Sequence, residues 1–312
     1  MGLKKTLNLI LILFMIFVLA GCSGNSPGAE PLGQAAEPPA ENMAFIYYIK
    51  SSFLVPVSYN IDVNSDNYIE KVSTTINLLF SGDVPEGFES GVSGVKINSL
   101  NINQDIVSVD VSRELTELAV KQIVYTLTEC DNILHINISV NGKPFASMLE
   151  RPKFINPVNP EQYAQDKDNP AELSKYITVY YTDSNKKYLI PLTIKTDKTS
   201  AEDRAKEALR YLSEGIEGIE GISVFPNKMK IREFQIKDGT AEIDLDLDAL
   251  FAFNDEVQYA EIAIDSVVRT LTSIDGIDQV QLLVNGKKLD YVTSNMSIKD
   301  PIKPEKWYNK VK

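Results

Sequence analysis

Apolar and polar residues alternate from Phe45 to Ile49 and again from Phe53 to Tyr59, the period of two that predicts a pair of strands. The spacing then widens. Ile69, Val72, Ile76, Leu79 and Phe80 share one face of a predicted helix, and Ala205, Ala208, Leu209 and Leu212 repeat that spacing later in the chain. The later helix opens on Thr199 and Glu202, the separation of a capping box. Asp238-Gly239 predicts a two-residue hairpin turn, after which Ala241, Ile243 and Leu245 alternate with Glu242, Asp244 and Asp246. Ala260, Ile264, Val267, Val268 and Leu271 form the apolar face of a last helix, and the strand Val280 to Val284 stops at Asn285-Gly286.

These elements occur twice. Ile123 to Lys143 aligns without gaps on Val267 to Lys287: Thr126-Leu127-Thr128 faces Thr270-Leu271-Thr272, and Val140-Asn141-Gly142-Lys143 faces Val284-Asn285-Gly286-Lys287. Upstream, Val109-Asp110-Val111 answers Ile243-Asp244-Leu245, Tyr47-Tyr48 answers Tyr180-Tyr181, and Leu54-Val55-Pro56 answers Leu189-Ile190-Pro191. Each copy reads β-β-α-β-β-α-β. The expected class is therefore α+β: two tandem modules, each a mixed or antiparallel sheet with two helices on one face. In the tails, Asn156-Pro157-Val158-Asn159-Pro160-Glu161 is set against Asp300-Pro301-Ile302-Lys303-Pro304-Glu305, with Tyr163 opposite Trp307. Prolines stiffen an extended chain, so each tail is expected to be a strap along the module that precedes it, anchored by its aromatic. A disordered spacer and a frayed end are the alternative. The expected divisions are a leader at 1–21, a tether at 22–43, a first module with strap at 44–163, a linker at 164–175 and a second module with strap at 176–308.

Lys4 and Lys5 precede an almost wholly apolar run, Leu7 to Leu19, closed by Ala20, Gly21 and Cys22. The run is short for a membrane span and ends in small residues, as an export signal does. An ordinary secretory peptide and an uncleaved anchor are the alternatives. Leu19-Ala20-Gly21-Cys22 resembles the lipobox of bacterial lipoproteins, which implies cleavage before Cys22, acylation of its sulfur and attachment to the outer face of the cell membrane. Two acyl chains on one residue give stable anchoring. Residues 23–43, rich in Gly, Pro, Ala, Glu and Ser, read as a flexible tether spanning on the order of 25 Å. The formal net charge is −12, and losing Lys4 and Lys5 makes it −14. Such a chain is repelled by nucleic acid and anionic polymers, which leaves neutral or basic partners. With Cys22 acylated, Cys130 is the only other cysteine, so the fold rests on its core and not on a disulfide.

The Thr-Leu-Thr run, the acidic-Gly turn after it, Val280-Gln281-Leu282-Leu283-Val284-Asn285-Gly286-Lys287, the opening Val179-Tyr180-Tyr181 and the Leu189-Ile190-Pro191 beyond it resemble the signature of the GerM-type sporulation and spore germination domain. The likeness covers Ala44 to about Tyr308. It implies tandem domains behind a lipoprotein signal, a role in endospore formation or germination, and a fold similar to the ring-building motif of membrane-associated ring proteins. The first copy departs most: Asn132 stands where the second has Gly276, and it is ten residues shorter ahead of its second helix.

Candidate chemistry is sparse. His135 is the sole histidine and its counterpart is Gln279; Cys130 answers Ile274. Neither position is required by the repeat to carry a reactive group, and no cofactor is expected. Asp62, Asn64 and Asp66 space like calcium ligands, but Asn67 takes the place of the turn glycine and Ser73 that of the closing carboxylate. Asp244, Asp246 and Asp248 share the spacing, with Ala249 and Asp255 at those places. Gly215, Gly218 and Gly221 recur without the Lys-Ser/Thr of a phosphate loop and read as a mobile loop. The stripe Glu242, Asp244, Asp246 and Asp248 is either a solvated strand face or a docking surface for a basic partner. The ten-residue expansion carrying Leu250, Phe251 and Phe253 is either a capping loop or a partner-binding one. The expected function is a non-enzymatic binding or assembly protein presenting two surfaces from a membrane to other sporulation or envelope proteins. The alternatives are a cell-envelope hydrolase using paired carboxylates and a solute-binding or sensing lipoprotein with a cleft between the copies.

Overall fold

The structure is a computed structural model that describes residues 42–63, 67–219, 230–246, 257–293 and 296–311. Cys22, Asp248, and the loop residues Leu250, Phe251 and Phe253 lie outside the described residues, as does part of the Asp62 stretch.

The first copy runs β1 (Met43–Lys50), β2 (Phe53–Asn60), α1 (Tyr68–Phe80), β3 (Ile97–Asn103), β4 (Ile106–Val111), α2 (Glu117–Leu127), β5 (His135–Val140) and β6 (Lys143–Leu149). Two short helices follow, α3 (Pro160–Asp166) and α4 (Pro170–Leu173). The second copy repeats the order as β7 (Tyr176–Thr182), β8 (Leu189–Lys195), α5 (Ala201–Glu214), β9 (Ile231–Lys237), β10 (Thr240–Leu245), α6 (Val257–Thr272) and β11 (Gln279–Val284), with a small hairpin of β12 (Tyr291–Thr293) and β13 (Met296–Ser297) behind it.

The α+β class and the duplication hold. Within each copy the strands divide into a hairpin, β1-β2 or β7-β8, and a mixed sheet, β3-β4-β5-β6 or β9-β10-β11. The mixed character comes from α2 and α6, which cross over to make β4-β5 and β10-β11 parallel. The hairpins stand apart because they are apolar at nearly every position. Ala44 through Ile49 are all buried, so β1 needs cover on both faces. Ile46 and Tyr48 enter a core cluster that is continuous through both copies, while Phe45, Tyr47, Ile49 and Leu54 enter a second cluster with Tyr125 and Trp307.

The helix starts obey their local chemistry. Asn67, Thr116 and Ser200 cap α1, α2 and α5, each accepting the backbone N–H three residues on. The capping residues of α5 are therefore Ser200 and Asp203, one position beyond the expected Thr199 and Glu202, since only at Ser200 is the backbone extended.

The repeated motifs prove to be repeated hydrogen bonds. Thr126 Oγ1 accepts the Tyr47 N–H at 3.0 Å, and Thr270 Oγ1 accepts the Tyr180 N–H at 3.0 Å. Each threonine thus ties a helix to the first strand of its own hairpin. Asn141 and Asn285 take φ values of 48° and 49°, and the glycines after them are also positive, at 77° and 73°. Both copies turn tightly there, as Asn-Gly favours. Asp110 Oδ1 accepts the Gly142 N–H at 2.7 Å, and Asp244 Oδ1 accepts the Gly286 N–H at 2.8 Å.

Candidate functional site: the junction of the two copies

The segments that follow the two sheets meet between the copies, where they make a joint with local two-fold character. Asn156 has φ 47° and Asn309 φ 54°, a left-handed conformation that asparagine tolerates better than most residues. Asn156 Oδ1 accepts the Leu54 N–H at 2.9 Å, while its Nδ2 donates to Leu54 O at 2.7 Å and to Pro191 O at 2.8 Å. Asn309 repeats this with the copies exchanged. Its Oδ1 accepts the Leu189 N–H at 2.7 Å, and its Nδ2 donates to Leu189 O and Pro56 O, both at 2.8 Å. Leu54 and Leu189 are repeat partners, and so are Pro56 and Pro191. Each asparagine therefore reads both edges of the leucine on its own copy and one carbonyl of the other.

The backbone crosses as well. Pro157 bridges Thr193 of β8 in parallel, and Lys310 bridges Ser58 of β2 in parallel. Ser58 Oγ donates to Tyr308 O at 2.6 Å, and Thr193 Oγ1 donates to Ile155 O at 2.6 Å. This corrects the expectation that each strap lies along the module before it: each adds to the hairpin of the other copy. The tail register is corrected too. Ile136 pairs with Leu149 and Val280 with Ile302, so Leu149 corresponds to Ile302, 153 positions on, whereas the strands they face are 144 apart. Nine extra residues thus lie between Gly286 and Ile302. The counterpart of Trp307 is then Phe154, not Tyr163, and the true repeat is Phe154-Ile155-Asn156-Pro157-Val158 against Trp307-Tyr308-Asn309-Lys310-Val311. Pro-x-x-Pro-Glu misled because it matched at the wrong offset.

The joint encloses a cleft of about 400 Å³, with Tyr47, Tyr125 and Arg151 on one side and Tyr180, Arg269 and Tyr308 on the other. Arg151 forms an ion pair with Glu129 at 2.5 Å, donates to Tyr47 Oη at 2.6 Å and to Tyr125 O at 2.9 Å, and stacks on the Tyr125 ring at 4.6 Å. Arg269 pairs with Asp265 at 2.9 Å, donates to Glu305 O at 2.8 Å and lies 4.0 Å from the Tyr308 ring centre. Burial raises the Tyr47 and Tyr308 phenols far above the usual tyrosine range, so they act as neutral hydroxyls and apolar rings. Burial also raises the Asp265 carboxyl, against the pull of Arg269. At another edge of the junction, Lys50 meets Asp183 at 3.3 Å with side chains 10% and 2% exposed, and Phe88 packs edge-on to Tyr188 at 4.7 Å.

Of the residues singled out from sequence, Asp244 is 6% exposed and holds the Gly286 N–H and Arg232, at 3.4 Å. It is not the solvated or docking carboxylate expected of a strand face, because the tight turn folds over it. Asp246 is half-buried beside it. Cys130 is buried in the core, with its thiol pushed up to about 11 by burial. His135 lies between Asp105, at 3.0 Å, and Glu150, at 3.3 Å. Sequence reasoning missed Arg151, Arg269, Lys50 and Asp183. Their counterparts are Pro304, Tyr125 and residues of unequal hairpin loops, so no repeat marks them.

The comparisons with known proteins agree with this architecture. A family model described as "Germane: Sporulation and spore germination" matches residues 46–146 and 178–290. The chain is 24% identical over 225 residues to the spore germination protein GerM of Bacillus subtilis (strain 168), over 65% of this chain and 60% of that protein. The chain thus spans about 60% of the length of this curated relative. The solved tandem GerMN domains of the sporulation protein GerM from Bacillus subtilis superpose with a TM-score of 0.57 at 20% identity, over 86% of this chain and 98% of that one. The solved first GerMN domain of that protein aligns over 42% of this chain and 95% of its own, with a TM-score of 0.33 at 28% identity. Matched across both of its copies and over well more than half its length, the chain belongs to the Germane family of sporulation and spore germination proteins.

Proposed function

We propose that this protein is a membrane-anchored, extracytoplasmic lipoprotein that serves sporulation or germination as a non-enzymatic binding or assembly protein. The observation that carries the reading is the joint. Straps cross in both directions, and one core cluster runs through both copies, so two modules present their outer faces at a fixed mutual angle. The ionisable groups of the cleft hold one another, Arg151 with Glu129 and Arg269 with Asp265, an arrangement suited to bracing. The resemblance of Leu19 to Cys22 to a lipobox supports anchoring at Cys22, and the expansion around Leu250, Phe251 and Phe253 supplies aromatic anchors for a partner.

Two measurements test this. Intact-mass analysis of protein extracted from membranes should show acylated Cys22, and Cys22→Ala should release the protein from the membrane fraction; an unmodified N-terminus ends the anchoring claim. Cross-linking and capture from sporulating membranes should retrieve envelope proteins that a variant lacking 250–253 no longer retrieves. Unchanged capture by that variant removes the loop as the docking element. The cleft favours a second reading, a sensor of a small solute, which predicts that a ligand raises Tm in the wild type and not in Arg151→Ala.

A further inference from the structure

The two straps occupy equivalent grooves but are not equally free. The first is tied at both ends: β6 precedes it, and after it α3 is fixed to β7 and β8 by Asp166, which accepts from Tyr176 Oη and Lys195 Nζ, both at 2.7 Å. The second ends the sequence at Lys312. Its attachment to the rest of its own copy passes through Lys299, Asp300 and Pro301, which are exposed, between buried Ile298 and half-buried Ile302. Pro301 and Pro304 hold that approach extended.

We infer that the groove beside β2, filled here by the chain's own Trp307-Tyr308-Asn309-Lys310-Val311, is an exchangeable recognition site, and that its partner in trans is the same segment of a second copy. The specificity is written twice in the structure. An aromatic enters the groove, here Trp307 with its ring 4.7 Å from Phe45. An asparagine in left-handed conformation then reads the leucine N–H and C=O, and a backbone bridge follows, with the Val311 N–H on Ser58 O at 3.3 Å. A strap arriving from a second molecule makes every one of these contacts, so exchange gains and loses the same interactions and is governed by concentration and by the hinge. The inference stands on the junction geometry and does not depend on the membrane anchor.

Trp307 is the only tryptophan, which gives a clean test in the chain from Ser23 onward. A chain ending at Lys299 has no tryptophan, so a synthetic peptide of residues 300–312 carries the sole reporter. Its emission should shift to the blue on binding, and Asn309→Ala in the peptide should weaken binding roughly tenfold or more. In a second arm, tagged and untagged full-length chains are unfolded, mixed and refolded. Untagged chain should be captured with tagged chain, as dimer, only when the two are refolded together. A wild-type peptide that binds no better than its Asn309→Ala form overturns the groove as a recognition site. Refolding to monomer alone, at every concentration the protein tolerates, overturns exchange with a second copy. That arm uses the intact chain and decides the question even if the shortened one does not fold.

Discussion

Replacing Asn156 or Asn309 with alanine should destabilise the protein by about 2–4 kcal/mol, and by the same amount at either site. Two contributions build that figure. Alanine at the observed φ of 47° or 54° costs about 1 kcal/mol or more, because its Cβ crowds the following carbonyl. Losing the side chain also strips one N–H and two carbonyls of their partners at each site. Left unsatisfied, each buried group costs about 1–3 kcal/mol; the junction is part-buried, so water recovers some of this. Asn→Gly separates the two contributions, since glycine accepts the conformation and should recover about 1 kcal/mol relative to alanine. Asn→Asp should be worse than glycine, because a carboxylate still accepts the leucine N–H but then points its second oxygen at two carbonyls. Urea denaturation followed by far-ultraviolet circular dichroism reads all of these. Alanine variants within about 0.5 kcal/mol of wild type, the range of an ordinary surface substitution, refute the joint as a stabilising device.

Three further outcomes follow from the same structure. Asp183→Ala should cost about 3–5 kcal/mol, because it strands the Lys50 ammonium, which is 10% exposed; the double variant Lys50→Met/Asp183→Asn should cost less than the single change, as equilibrium unfolding will show. Asp110 is held below the usual carboxylate range, first by Ser139 Oγ, then by the Gly142 N–H and Asn98. Its stabilisation is therefore complete above the unfolded value of about 4 and is lost as pH falls through the lower folded value, so a Tm-against-pH curve for Asp110→Asn should be flatter on its acid side. Cys130 is 5% exposed and its thiol is raised to about 11, so a thiol reagent at neutral pH should label it only as fast as the protein unfolds; prompt labelling of the native protein contradicts its placement.

Much of the fold was legible because hairpins, helices and parallel crossovers leave periodic marks, and because the repeat supplied each mark twice. Thr126/Thr270, Asp110/Asp244 and Asn141/Asn285 could be named from sequence, although only geometry shows that they are one threonine clip and one carboxylate-held turn per copy. The joint was less legible. Its governing pair, Asn156 and Asn309, sits in five-residue segments displaced by nine positions from the register of the sheets, and the more conspicuous prolines fixed the alignment elsewhere. The separation of the hairpins from the mixed sheets left no mark either, since an apolar strand reads alike whether a sheet or a neighbouring copy covers it. The cleft pairs are tertiary coincidences. Arg151 lies beyond its own sheet and Glu129 beyond a helix, and nothing local predicts their meeting.

Where the copies coincide and where they differ follows from the joint. A two-fold junction constrains both partners equally, so Leu54 and Leu189, Pro56 and Pro191, Asn156 and Asn309 carry the same residue and the same bonds. Positions that face away from it carry no such constraint. Capping aligns Asn67 with Ser200, so Tyr68 and Ile69 stand opposite Ala201 and Glu202, and the helix register sets Leu134 opposite Asp278. In the first copy Ile69 is 46% and Leu134 60% exposed, and Tyr68 and Leu134 line one shallow depression; in the second copy the same places carry a methyl group and two carboxylates. The fold therefore does not require apolar side chains there, since its other copy does without them. One scaffold thus offers an apolar outer face and an acidic one at a fixed separation, and a partner matched to either will not find its surface on the other.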